Sequence, residues 1–156
     1  MLLWAASAAA QTPQPFPKPS NPQKPAQPPP AAKTPEAPKV PSETELGAPL
    51  YPSAVFLTSY DAGRGQRFYV FGVAVPYAEM VNYYRTVLKT KGDELFEAPP
   101  THQFETARFR EESMAFPPSV TVKDYTYGGS AGYPNPKVGA DPPRFPTIVQ
   151  IVPPPR

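Results

Sequence analysis

The stretch "RFYVFGVAVPYAEMVNYYRTVLKTKG", residues 67–92, sets a strand directly against a helix, and its reading decides the fold. Residues 67–75 are mostly β-branched and aromatic, and both alternating sets are apolar. Phe68, Val70 and Ala74 lie on one side, with Tyr69, Phe71, Val73 and Val75 on the other. A strand with no polar face reads as central, with something covering each side. At Pro76 the period lengthens from two to 3.6, and the spacing predicts a helix over 76–91. Tyr77, Val81, Tyr84 and Leu88, flanked by Met80 and Val87, form its apolar stripe. Glu79, Asn82, Arg85, Thr86 and Lys89 form its wet side. Pro76 suits the first helical position and Gly92 the C-terminal cap, and Lys89 and Lys91 favour the negative end of the helix dipole.

On the N-terminal side, "AVFLTSY" (54–60) is a second strand, joined to the first across the turn-forming segment 61–66 as a hairpin. On the C-terminal side the signals weaken. "HQFETARF" (102–109), "SVTVKDYTY" (119–127) and "FPTIVQIV" (145–152) read as three further strands, with a long irregular segment over 128–144. The order β-β-α-β-β-β predicts an α+β fold, a mostly antiparallel sheet with one main amphipathic helix.

Composition divides the 156 residues at Ser42. Twelve of the 27 prolines fall between Pro13 and Pro41, a stretch with one aromatic residue, Phe16. Such a tract buries too little apolar surface to offset its ordering entropy, so residues 11–42 are expected to be a disordered Pro-rich linker. All nine tyrosines and eight of the nine phenylalanines follow it, which places a small α+β domain at 43–156. Met1 to Ala10 is too short to span a bilayer, which takes about 20 apolar residues. Its apolar run ending in Ser7-Ala8-Ala9-Ala10 before Gln11 matches the back half of a secretory signal. A partial signal peptide at 1–10 and an exported protein, periplasmic or extracellular, are therefore expected.

The net charge of +2 resides in the Pro-rich tract, since residues 43–156 hold 11 basic and 12 acidic side chains. No basic stripe offers itself to nucleic acid. The absence of cysteine excludes disulfides, thiolate metal sites and Cys nucleophiles.

"LYPSA" (50–54), followed some thirty residues later by "VNYYRTVLKTKG" (81–92), resembles small exported bacterial domains of unknown function. These share a Pro-rich leader, a YP-x-A entry strand and a YY-x3-L helix. The resemblance spans about residues 47–153 and implies export and fold, without an activity or site residues. The chain is also similar to the TonB type of energy transducer in its Pro-rich spacer before a small α+β domain beginning near a YP. The strand pattern expected next in that family is missing.

Catalytic signatures are weak. His102, the single histidine, follows Pro99-Pro100 and reads as an exposed loop residue; there is no G-x-S-x-G elbow. Gly63-Arg64-Gly65 lacks the third glycine of a dinucleotide fingerprint and joins two strands. Glu105, Arg108, Arg110, Glu111 and Glu112 read as a solvated face with weak ion pairs, and neither a cofactor nor a metal cluster is indicated. The sharper candidate is aromatic. Alternation in 119–127 turns Val120 and Val122 inward and Thr121, Lys123, Tyr125 and Tyr127 outward. Tyr125 and Tyr127, with Tyr133 in the glycine-rich segment beyond, are candidate partner-binding residues, because tyrosine offers flat apolar area and a hydroxyl at low entropic cost. The expected function is non-enzymatic binding of an envelope protein or polysaccharide. The alternative is a glycan or peptide hydrolase working through carboxylates among Glu105, Glu111, Glu112 and Asp124.

Overall fold

The computed structural model describes residues 39–135 and 143–156. The expected signal segment 1–10, and all but the last four residues of the expected linker, lie outside them. Two helices and eight strands follow in the order α1 (Glu43–Leu46), β1 (Val55–Gly63), β2 (Gln66–Val73), α2 (Tyr77–Val87), β3 (Asp93–Glu97), β4 (Pro100–Glu105), β5 (Ser119–Asp124), β6 (Tyr133–Pro134), β7 (Arg144–Phe145) and β8 (Thr147–Val152). A single 3-10 turn, Tyr127–Gly129, follows β5. Six strands form one antiparallel sheet in the order β1-β2-β8-β5-β4-β3, and β6 and β7 make a separate ribbon. The α+β class with one main helix is as the patterning predicts.

β2 lies inside the sheet, between β1 and β8, and both of its faces are covered. On the first face, Tyr69, Phe71 and Val73 join Phe104, Val120, Val122, Val149 and Ile151 beneath Met80, Val81 and Tyr84 of α2. The inward facing of Val120 and Val122 and the wet side of α2 both agree with the sequence reading. The N-terminal leg covers the rest of this face through Leu46, Ala48, Leu50 and Tyr51. Its polar groups tie it down. Ser42 caps α1, Glu43 accepts from the Leu50 amide at 2.7 Å, the Tyr69 hydroxyl donates to Glu45, and the Tyr83 hydroxyl donates to the Leu50 carbonyl at 3.0 Å. Residues 50–54 are a turn here, with the Ala54 amide donating to the Tyr51 carbonyl, and the strand begins at Val55.

On the second face Leu57, Val70, Phe145 and Ile148 form a smaller cluster flanked by Tyr125 and Tyr133. Gly72 makes it possible. A Cβ at that position would lie 2.4 Å from the Phe145 ring, so only glycine lets the ring close on the sheet. Farther along this face the segment 106–118 is held by the buried Gln66. Its side-chain oxygen accepts from the amides of Ala115 (2.7 Å) and Phe116 (3.0 Å), and its nitrogen donates to the carbonyls of Phe116 (2.9 Å) and Pro153 (3.2 Å). Arg64, at the tip of the first hairpin, donates to the carbonyls of Glu111 and Met114.

Three local expectations change. Helix α2 stops at Val87 with Leu88 as its C-cap, and the left-handed residue that follows the cap is Lys89, at φ 54°, and not Gly92. Gly92 is needed for another reason: at φ 62° it lies where a Cβ would meet Phe104 at 2.6 Å and the Gln103 carbonyl at 2.7 Å. The segment 93–97, given no strand by its pattern, is β3, the sheet's second edge. Among the described residues no helix is long and apolar enough to cross a membrane.

Candidate functional site

The pleat places Phe96, Thr101 and Lys123 in one row across β3, β4 and β5. Phe96 lies opposite Thr101 and Thr101 opposite Lys123, all on the second face. This row forms the floor of an open cleft of about 720 Å³. One wall is the β3–β4 connection, Ala98 and Pro99, whose peptide bond is cis. The other wall is the chain leaving β5: Asp124, Tyr125, Tyr127 and Ser130. The strand ends at Asp124 because its side-chain oxygen accepts from both the amide (2.8 Å) and the hydroxyl (2.7 Å) of Thr126, an Asx turn that bends the chain away from the sheet. The turn at 127–129 begins with Tyr127, which lines the cleft.

The three tyrosines singled out by sequence meet different environments. Tyr125 and Tyr133 come together edge to face, ring centroids 5.0 Å apart, half-buried against the Phe145 cluster. Burial, and after it the neighbouring Tyr133 and Tyr60 phenols, raise the Tyr125 pKa above its ordinary value, so it stays a neutral hydroxyl at physiological pH. Tyr127 is 51% exposed and shares the cleft with Tyr125; Tyr133 does not line it. Phe96, 62% exposed, is the cleft's most open ring. Sequence reasoning missed it. The five residues of β3 are all exposed and carry no alternation that would announce a strand, so nothing before the fold was known pointed Phe96 at the tyrosines.

The charges of the cleft separate by face. Glu94 pairs in register with His102, whose strand neighbour Phe104 faces α2, so its row belongs to the first face. Asp124 is tied to Thr126 and lies close enough to Tyr77, on α2, to help raise that phenol's pKa after burial and Glu94. Lys123 remains. Half-buried on the cleft floor, its ammonium has no ion pair or hydrogen bond among the described residues.

His102 is not an exposed loop residue. It is buried on β4, its ring against Phe104 at 4.8 Å, and its Nε2 bonds the Lys91 carbonyl at 2.8 Å. This anchors the turn after α2. The carboxylates weighed for hydrolysis do not converge. Glu105 lines a separate shallow depression with Asp93 and Lys91, Glu111 and Glu112 are exposed on the 106–118 segment, and Asp124 is occupied. Nor do Arg108 and Arg110 pair with these glutamates; the ion pair among the described residues is Arg156 with Glu45, at 3.2 Å. The charges at 105–112 are solvated singly because the backbone of this segment, not its side chains, is what the fold grips. No group of three or more His, Asp or Glu side chains suited to a metal occurs among the described residues. What the described residues of the cleft offer is aromatic area and the unpaired Lys123 cation, with the Asp124 carboxylate on the wall. No family model, curated protein or solved structure matches the chain.

Proposed function

We propose that the protein is an exported, non-enzymatic binding domain that holds a component of the bacterial envelope, a polysaccharide or a partner protein, in the cleft between β3 and the 124–130 segment. The observation that carries this reading is the convergence of Phe96, Tyr125 and Tyr127 on one open cleft. Two of these rings show half or more of their surface to solvent although no fold contact requires it. Large apolar groups exposed together on the rim of a cavity of 300–1,000 Å³ are the usual mark of a binding site. Support for export comes from the sequence, in the apolar run that ends in Ser7-Ala8-Ala9-Ala10.

The test is retention. Purified protein is incubated with isolated bacterial envelopes and sedimented, alongside the variant Phe96→Ala/Tyr127→Ala. Because both rings are exposed, the variant should melt with the wild type and be lost from the pellet. Equal retention at unchanged stability would sink the assignment of the cleft.

A further inference from the structure

We infer that the ligand of this cleft is an acidic oligosaccharide, its sugar rings resting on Phe96 and Tyr127 and a carboxylate paired with Lys123. The inference rests on the binding role proposed above and adds the ligand's chemistry.

Lys123 is the group that sets the ligand's charge. Its row on the second face contains Phe96 and Thr101 and no carboxylate. The Asp124 carboxylate, also on the cleft wall, accepts from Thr126 but forms no ion pair with Lys123, and Glu94 belongs to the row of His102 on the first face. The Lys123 side chain is therefore half-buried in the cleft with no ion pair or hydrogen bond among the described residues. An incoming anion would be desolvated beside it, where a charge-assisted hydrogen bond is worth more than at an open surface. The aromatic rings come next. The Phe96 and Tyr127 rings have no aromatic partner among the described residues, whereas Tyr125 is held edge-on by Tyr133. Free ring faces carry the negative side of the aromatic quadrupole and suit the weakly positive C–H face of a sugar. Polar groups follow on the same surface: the exposed Ser130 hydroxyl in the cleft, then the half-buried Gln103 and Gln150 amides beyond it, while the buried Thr101 hydroxyl is already bonded to the Pro99 carbonyl and Gln103 also donates to Ser119. Amides and hydroxyls in a line both donate and accept, as a chain of sugar hydroxyls requires. An acidic peptide is the poorer occupant. Added as a strand to the free edge of β3, it would run alongside Asp93, Glu94 and Glu97.

The experiment is calorimetric titration of the full chain at low ionic strength with three probes: trigalacturonate, its fully methyl-esterified form, and hexaglutamate. The acid and its ester share the sugar chain and differ at the carboxyl groups, in charge and in the added methyls. Trigalacturonate should bind at least tenfold more tightly than the ester and more tightly than hexaglutamate. Lys123→Gln should bring acid and ester to the same affinity and remove the salt dependence. Phe96→Ala/Tyr127→Ala should weaken both sugars together. Equal affinity for acid and ester, preference for hexaglutamate, an unaffected Lys123→Gln, or no binding of trigalacturonate at all would each overturn the inference. The envelope-retention result is independent of these titrations. If the aromatic variant loses retention while trigalacturonate fails to bind, the cleft remains the site and its ligand is not an acidic sugar.

Discussion

Replacing Tyr84 by phenylalanine should make this protein more stable. The Tyr84 side chain is fully buried in the middle of α2, its ring stacked near Tyr83 (5.1 Å) and Phe104 (6.1 Å), and its hydroxyl has no hydrogen-bond partner among the described residues. A hydroxyl taken from water without a new partner costs the folded state about 1–3 kcal/mol. Phenylalanine keeps the ring contacts and removes that cost, so a gain of about 1 kcal/mol or more is expected, a rise in Tm of roughly 4–8 °C for a domain of this size. The pH dependence provides a second check. Burial, reinforced by Tyr83 and Glu43, pushes the Tyr84 pKa far above its ordinary value of 10.0. Below pH 10 the phenol is neutral in both folded and unfolded chains and contributes no slope. Above it the unfolded phenol ionises while the folded one does not, so stability falls by up to about 1.4 kcal/mol per pH unit. The variant lacks this loss, and its advantage should widen as pH rises through 10. Urea unfolding followed by circular dichroism at pH 7, 9 and 10.5 measures both effects. A variant less stable than the wild type at pH 7, or an advantage that does not grow with pH, would refute the reasoning and mean that the hydroxyl has a partner.

Gly72→Ala should cost about 1–3 kcal/mol, because the new methyl occupies the place of the Phe145 ring; a melting curve that superposes on the wild type would show that ring to be mobile. Gln66→Leu should cost about 3 kcal/mol or more, since it strands two amides and two carbonyls of the 106–118 segment and the C-terminus. Limited proteolysis of that variant should open cleavage between Thr106 and Pro118, and unchanged protection there would contradict the anchoring role. Arg85→Ala, on the wet side of α2 and bonded among the described residues to Asn82, should stay within about 0.5 kcal/mol by the same melts.

These predictions rest on features of unequal visibility in the sequence. The helix was legible because its stripe at Tyr77, Met80, Val81 and Tyr84 repeats every three to four residues, and β2 because nine residues alternate with no polar set. Val120 and Val122 could be turned inward for the same reason. The hairpin partner β3 was not legible. "DELFE" has three carboxylates in five residues and is a strand only because β4 pairs with it. The same blind spot hid His102, since the adjacent prolines signal a loop while the pairing with Val122 makes a strand. Gly72 and Phe145 lie far apart in the chain, and no local rule could set the ring on the glycine. The candidate site divides in the same way. Alternation pointed Tyr125, Tyr127 and Lys123 away from the core, and the Asx turn at Asp124 then carried the tyrosines off the strand. Phe96, the ring that completes the cleft, comes from the element the pattern left unread.

The central claim is that the cleft, and not apolar surface in general, holds the envelope ligand. The measurement is side-by-side envelope retention of Phe96→Ala/Tyr127→Ala and of a control, Val87→Ala/Phe109→Ala. The control removes two exposed apolar side chains that do not line the cleft. The cleft variant should fall to background and the control should sediment with the wild type. Equal loss in both, or loss in the control alone, would contradict the account.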